Sequence, residues 1–242
     1  MLFALVLPVA HGDAAELEDH PLSDIEISVC KVDLRKDALR MFWKDDEDQV
    51  IGSFMRLQAV LRNRREEIVC AMNAGIYDRN YRPLGLYVEN GKVQRPLNTV
   101  KNAYGNFYLQ PNGVFLIRNR QAAIVNTDYL AGHPARLRGI RFATQSGPLM
   151  LYGGKINPVF SETAGNRLIR NVVCVVSPHQ AVLAISRGPV SFYDFALFLR
   201  DKLHCTDALY LDGNISRMYP GIGADFGAGF GAMIAVTSKA SR

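Results

Sequence analysis

The chain has 242 residues, enough for one large domain or two small ones, and 48% are hydrophobic, so a sizeable core is available and a disordered chain is excluded. The 28 basic and 23 acidic residues leave +5, with the basic residues scattered. The nearest thing to a basic patch, "RNRREE" at 62–67, carries its own acids and reads as a solvated helix face, so no nucleic-acid partner is expected.

The first ten residues, "MLFALVLPVA", are apolar and lead into the small, acidic "HGDAAELEDHP". This has the form of the second half of a secretory signal without its basic start. Residues 1–24 are therefore expected to be a truncated or mis-started export signal or a disordered tail, with a first strand as the alternative, and residues 25–242 a single domain. The apolar run is too short to span a bilayer as a helix, and no other segment approaches that length, so no stable membrane insertion is expected. Export would place the protein in the periplasm or outside the cell.

Four cysteines, Cys30, Cys70, Cys174 and Cys205, lie too far apart for C-x-x-C metal spacing, and no zinc, other metal or cofactor is expected. In an oxidising compartment one or two disulfides are expected from three possible pairings, with Cys30–Cys70 favoured because both sit in apolar strand-like runs; four small buried hydrophobes are the alternative.

Two helices stand out. In "SFMRLQAVLRNRREE", Phe54, Leu57, Val60 and Leu61 form one face after a Ser53 cap; in "SFYDFALFLRDKLHC", Phe192, Phe195, Ala196, Leu199 and Leu203 do so after Ser191, with Asp194 as a capping-box-like acid. Most of the remainder reads as short strands. Turns are predicted at Asn90-Gly91, Asn112-Gly113, near Asn119, at Gly153-Gly154 and around Ser177-Pro178. Many short strands with local turns and two helices imply an α+β domain built on a largely antiparallel or mixed sheet with helices packed on it.

Polar residues at strand ends gather in four clusters: "MNAGIYD" (72–78), "ATQSGP" (143–148), "SETAGNRLIRN" (161–171) and "LDGNIS" (211–216). The glycine-rich "GIGADFGAGFGAM" lacks the dinucleotide-binding spacing and has no helix after it, so it reads as a loop bringing the last strand to the site. The five histidines are dispersed, which gives a Ser-His-acid hydrolase little support.

The order N-A-G, Q-S-G-P-x-L, N-R before a strand, then L-D-G-x-x-S resembles the phosphodiester glycosidase family, above all its bacterial periplasmic branch, over about residues 27–237. The chain departs from the family where Asn166-Arg167-Leu168-Ile169-Arg170-Asn171 stands for N-R-T-A-x-G, and where Asp212-Gly213-Asn214-Ile215-Ser216 stands for D-G-G-x-S. The resemblance implies hydrolysis of a glycosyl phosphodiester, with a glycan or glycosyl phosphate, such as an N-acetylglucosaminyl one, as the partner.

On that reading Asp212 is the carboxylate at the anomeric carbon, as nucleophile or as base for water, with Asn73 and Arg167 completing the catalytic set. Arg167, and after it Arg187, would hold the phosphate, because a guanidinium fork matches its oxygens. Gly75, Gln145, Ser146, Gly147, Asn166, Gly213, Asn214 and Ser216 would contact substrate, and Glu162 and Asp78 are candidate second carboxylates. The competing reading is a non-catalytic periplasmic module that holds an anionic glycan in the same pocket.

Overall fold

A computed structural model describes residues 15–212, 215–221 and 229–240. It is mainly strand. In chain order these are β1 (Glu16–Leu22), β2 (Ile25–Asp33), β3 (Ala38–Phe42), helix α1 (Phe54–Asn63), β4 (Glu66–Asn73), β5 (Tyr87–Glu89) and β6 (Lys92–Arg95). Next come β7 (Gly113–Arg118), β8 (Gln121–Asn126), helix α2 (Thr127–Gly132), β9 (Phe142–Ser146), β10 (Leu149–Tyr152) and β11 (Lys155–Ile156). The last are β12 (Asn171–Ser177), β13 (Gln180–Ser186), helix α3 (Phe192–Asp201), β14 (Asp207–Asp212), β15 (Met218–Tyr219) and β16 (Met233–Lys239). The α+β expectation holds, with antiparallel pairing throughout these strands.

The strands make three sheets, in the orders β1-β2-β13-β12-β14-β10-β11, β15-β4-β16-β3 and β6-β5-β9-β7-β8. Each is apolar on both faces, and period-2 alternation divides the work. Leu209 and Leu211 of β14, Val173 and Val175 of β12, Met72 of β4, Ile234 of β16 and Phe115 of β7 meet in one core shared by all three sheets. The opposite faces are covered by helices. Ala208 and Tyr210 pack with Phe195 and Leu199 of α3. Ala71 and Met233 pack under Phe54, Leu57 and Leu61 of α1, and Val114 and Ala143 under Leu130 of α2.

Both predicted helices begin where their caps put them: Ser53 accepts from the Arg56 N–H and Ser191 from the Asp194 N–H. Asp194 takes part in the cap through its own N–H, while its carboxylate, read from sequence as a capping-box-like acid, pairs with Arg167 at 3.0 Å. Helix α2, a single short turn capped by Asn126, has too few residues to show a helical period in sequence.

The Asn90-Gly91, Asn119-Arg120 and Gly153-Gly154 turns have φ positive at both central residues, as the tightest hairpins require, and β12 and β13 are joined across Pro178. Asn112-Gly113 differs from expectation: it opens β7 rather than joining two paired strands, and the Asn112 amide donates to the Phe107 carbonyl at 3.0 Å.

The boundary expected at residue 25 falls between two paired strands. Residues 16–22 form β1, paired with β2 along its whole length, so this part of the expected tail belongs to the fold. Its acidic, Pro-containing sequence looked like tail because it is an exposed edge strand, where charge and proline are the usual protection against further pairing. Residues 1–14 lie outside the described residues.

Cys30–Cys70 is a disulfide, as favoured from sequence, and ties β2 of the seven-stranded sheet to β4 of the four-stranded one. Cys174–Cys205 ties β12 to the segment leaving α3. Among the described residues no helix is long and apolar enough to cross a membrane.

Candidate active site

Three strand ends converge where the sheets meet. β4 ends at Asn73, β14 ends at Asp212, and β12 begins at Asn171. The β12–β14 register shifts between Asn171 and Val172, so Leu211 and Asp212 together oppose Asn171. A bulge of this kind bends the strand and re-aims its last side chains.

The buried Asn171 amide joins the three ends. Its Nδ2 donates to the Asn73 carbonyl at 3.1 Å and to Asn73 Oδ1 at 2.9 Å, while its Oδ1 accepts from the Asp212 N–H at 2.9 Å. Asn73 Oδ1 also accepts from the Arg217 N–H at 2.9 Å. Ser216 Oγ donates to the Asp212 carbonyl and, at 3.2 Å, to that of Ile169. Ser146 Oγ fixes the strand from the third sheet by donating to the Leu211 carbonyl at 3.0 Å. Asp212, Asn73, Ser146 and Ser216 are thus one cluster, and Asp212 is all but buried.

Two tyrosines sense the Asp212 charge. The Tyr77 phenol has its pKa raised, first by burial and then by Asp212, with Arg217 acting the other way. Tyr210 is pushed up to about 12 by burial, with Arg170 opposing and Asp212 reinforcing the shift. Arg217, Tyr77 and Tyr210 therefore share the electrostatic neighbourhood of Asp212.

Arg170 is fully buried, its guanidinium 3.7 Å from the Phe192 ring centre and 5.6 Å from that of Tyr210. It donates to the carbonyls of Val190 and Asn166, and burial lowers its pKa. Asn166 serves here as an acceptor for Arg170.

The remaining predicted residues are placed differently. Gln145 is wholly engaged in framework: its Oε1 accepts from the Leu86 and Asn98 N–H groups, and its Nε2 donates to the Asn98 carbonyl and Thr127 Oγ1. Gly75, at φ 103°, follows the N-A turn, where a Cβ would lie 2.8 Å from Thr144 Oγ1. At Gly147 a Cβ would fall 2.6 Å from that of Asn112. Both glycines allow close chain approach beneath the site.

Asp78 Oδ1 accepts from the N–H groups of Asn80 and Arg82 and shapes a loop. Glu162 accepts from the Tyr193 hydroxyl at 2.5 Å, and Arg187 pairs with Asp19 at 2.7 Å. Arg167 is half-exposed on Asp194. None of these four is part of the Asn171 cluster. Gly213 and Asn214 lie outside the described residues. Among the described residues no group of three or more His, Cys, Asp or Glu is placed to hold a metal ion.

The family comparison falls on this region: phosphodiester glycosidase matches residues 66–225, from the start of β4 to beyond β15, and so takes in Asn73, Asn171, Asp212 and Arg217. The chain belongs to the phosphodiester glycosidase family. It is 36% identical over 208 residues to the uncharacterized protein YigE of Escherichia coli K12, covering 85% of this chain and 80% of that one.

Its fold is shared with the zebrafish N-acetylglucosamine-1-phosphodiester alpha-N-acetylglucosaminidase catalytic domain auto-inhibited by its pro-peptide, at TM-score 0.58 and 15% identity over 92% of this chain and 81% of that one. A hypothetical protein from Synechocystis gives TM-score 0.56 at 15% identity over 92% of this chain, which spans only 61% of that protein.

Of the residues singled out from the sequence, Asp212, Asn73, Ser146 and Ser216 lie together in this cluster, whereas Asn171, Arg170, Tyr77, Tyr210 and Arg217, which adjoin it, were not singled out. Each missed residue lies inside or beside a recognised motif. Arg170 and Asn171 close "NRLIRN", Tyr77 follows "NAGI", and Arg217 follows "LDGNIS". The available signal was the departure from the family pattern at 171, where an amide stands in place of glycine; Arg170 stands at a position the pattern leaves open.

Proposed function

We propose that the protein hydrolyses a glycosyl 1-phosphodiester in an oxidising, extracytoplasmic compartment, with Asp212 as the carboxylate at the anomeric carbon. The observation that carries this reading is the Asn171-centred cluster, which fixes the Asp212 backbone through Asn171 and Ser216 at the junction of all three sheets. Preorganisation of this kind removes the cost of arranging the group during reaction. The two disulfides fit the compartment.

In the reaction the bond between the sugar C1 and the phosphate oxygen breaks, and the electron pair leaves with a phosphomonoester. Water oxygen bonds to C1, either directly with Asp212 taking its proton, or after Asp212 has itself attacked C1. The phosphate is a weak base and needs little proton assistance, so the demand falls on cations. Arg167, outside the Asn171 cluster, would serve this role by exchanging Asp194 for phosphate; Arg217 is the alternative, since its N–H is bonded to Asn73 within the cluster. Asn73 Nδ2, buried without a partner among the described residues, is a donor for the sugar or phosphate.

A chromogenic or fluorogenic N-acetylglucosamine 1-phosphodiester tests the reading. Wild type is expected to release free sugar, and Asp212→Asn to lower kcat/KM by about 10²–10⁴-fold. Full turnover by a folded Asp212→Asn protein would overturn the assignment. Tight glycan binding by wild type without turnover would instead identify a binding module.

A further inference from the structure

On the β4 side of the site, residues 76–83 form a loop carrying two tyrosines that the proposed hydrolysis does not use. The Tyr77 and Tyr81 rings lie 5.7 Å apart, inclined at 32°. The loop is braced from within: a bridge joins Tyr77 and Pro83, the Leu84 N–H donates to the Ile76 carbonyl at 3.0 Å, and Asp78 holds the Asn80 and Arg82 amides. It is also braced from outside, since the Trp43 indole donates to the Tyr81 carbonyl at 2.8 Å.

The end of the glycine-rich stretch fits against these rings. A Cβ on Gly231 would come within 2.9 Å of Tyr77 Cβ, and one on Gly229 would touch the Tyr81 ring at 3.6 Å. The Tyr77 hydroxyl donates to the Gly229 carbonyl at 3.3 Å. The two glycines let the chain entering β16 pass close to the aromatic pair, and the bond to the Gly229 carbonyl holds the Tyr77 ring. Tyr77 is only half-buried and Tyr81 remains 37% exposed. Two neighbouring rings on a braced loop, one of them in the electrostatic neighbourhood of Asp212, suit a ligand that is apolar on one face and polar at its rim. A pyranose has that character, with C–H groups on one face and hydroxyls around it.

We propose that Tyr77 and Tyr81 form an aromatic platform that seats the pyranose ring of the glycosyl group and so presents its C1 to Asp212. This rests on the reading of Asp212 as the carboxylate at the anomeric carbon.

Trp43 is the single tryptophan of the chain and touches Tyr81 through its indole, so its fluorescence reports the platform without turnover. Asp212→Asn protein titrated with N-acetylglucosamine 1-phosphate is expected to give a saturable fluorescence change. Adding Tyr81→Ala or Tyr77→Leu should weaken binding about tenfold or more, whereas Tyr77→Phe, which keeps the ring, should stay within about threefold. In the otherwise wild-type enzyme Tyr81→Ala should raise KM about tenfold with a much smaller fall in kcat.

A folded Tyr81→Ala protein with unchanged Kd and KM would overturn the platform. Sugar binding lost in Tyr81→Ala, in a protein with no turnover, would uphold the platform and remove the hydrolase reading. Turnover with KM indifferent to Tyr81→Ala would do the reverse.

Discussion

At the scale of single residues the site depends on Asn171 more than on any residue that would face a substrate. Its amide uses both ends at once, donating to Asn73 and accepting from Asp212, so it fixes the catalytic candidate without touching chemistry. Asn171→Ala would leave a buried Asp212 N–H and a buried Asn73 carbonyl without these partners. We expect a loss of about 2–3 kcal/mol in urea unfolding, with turnover falling as well. Glu89 makes a second residue-scale prediction, away from the site. Burial raises its carboxyl from 4.5 to about 7, against the opposing hydrogen bonds from the Tyr87 hydroxyl and the Trp43 backbone. An acid whose pKa is higher folded than unfolded binds more protons in the native state. Its contribution is present below 4.5 and is lost as pH rises through about 7. Stability should therefore fall by up to about 3 kcal/mol across that interval, and Glu89→Gln should flatten the slope in denaturant titrations at a series of pH values.

At the scale of elements, what the sequence shows depends on whether a signal is local. Helices α1 and α3 are legible because a serine cap and an apolar face of three turns act within ten residues of each other. Ser191→Ala should cost about 1 kcal/mol, read as a lowered thermal midpoint, because the Asp194 N–H loses its acceptor while the packing of Phe195 and Leu199 is untouched. The Asn90-Gly91 and Gly153-Gly154 hairpins are legible for the same local reason: residues that tolerate positive φ stand where the turn needs them. Neither α2 nor β1 announces itself. One is too short for a period, and the other carries the charges of an edge strand and so resembles a tail. The bulge at Asp212 is equally silent, since it arises from the pairing of β14 with β12, about forty residues away in sequence.

At the scale of the molecule, the partners of a strand are set by which faces must be buried together, and one sequence does not state that. Alternation along β14 or β16 shows that both faces are apolar, but not that Leu211, Ile234 and Phe115 belong to one core while Tyr210, Met233 and Val114 belong to three others. The site inherits this limit. Asp212 and Asn73 could be picked out as strand-end polar residues, whereas their common partner Asn171 becomes visible only when the seven-stranded and four-stranded sheets are brought together. Those two sheets are also joined covalently by Cys30–Cys70, whose cysteines are 40 positions apart in sequence. Closing a loop of that length restricts the unfolded chain by roughly 3–4 kcal/mol. Cys174–Cys205, by contrast, fastens α3 to its own sheet. Replacing Cys30 and Cys70 together by alanine should therefore lower stability by about 2–4 kcal/mol and, by loosening β4 against β12, reduce turnover at temperatures where the fold persists. Replacing Cys174 and Cys205 should lower stability comparably while leaving turnover of the folded protein near wild type. Circular dichroism melting paired with activity on the same samples reads both quantities. If the two double variants lost activity in equal proportion at equal folded fraction, the junction between the sheets would not be what holds Asp212 in place.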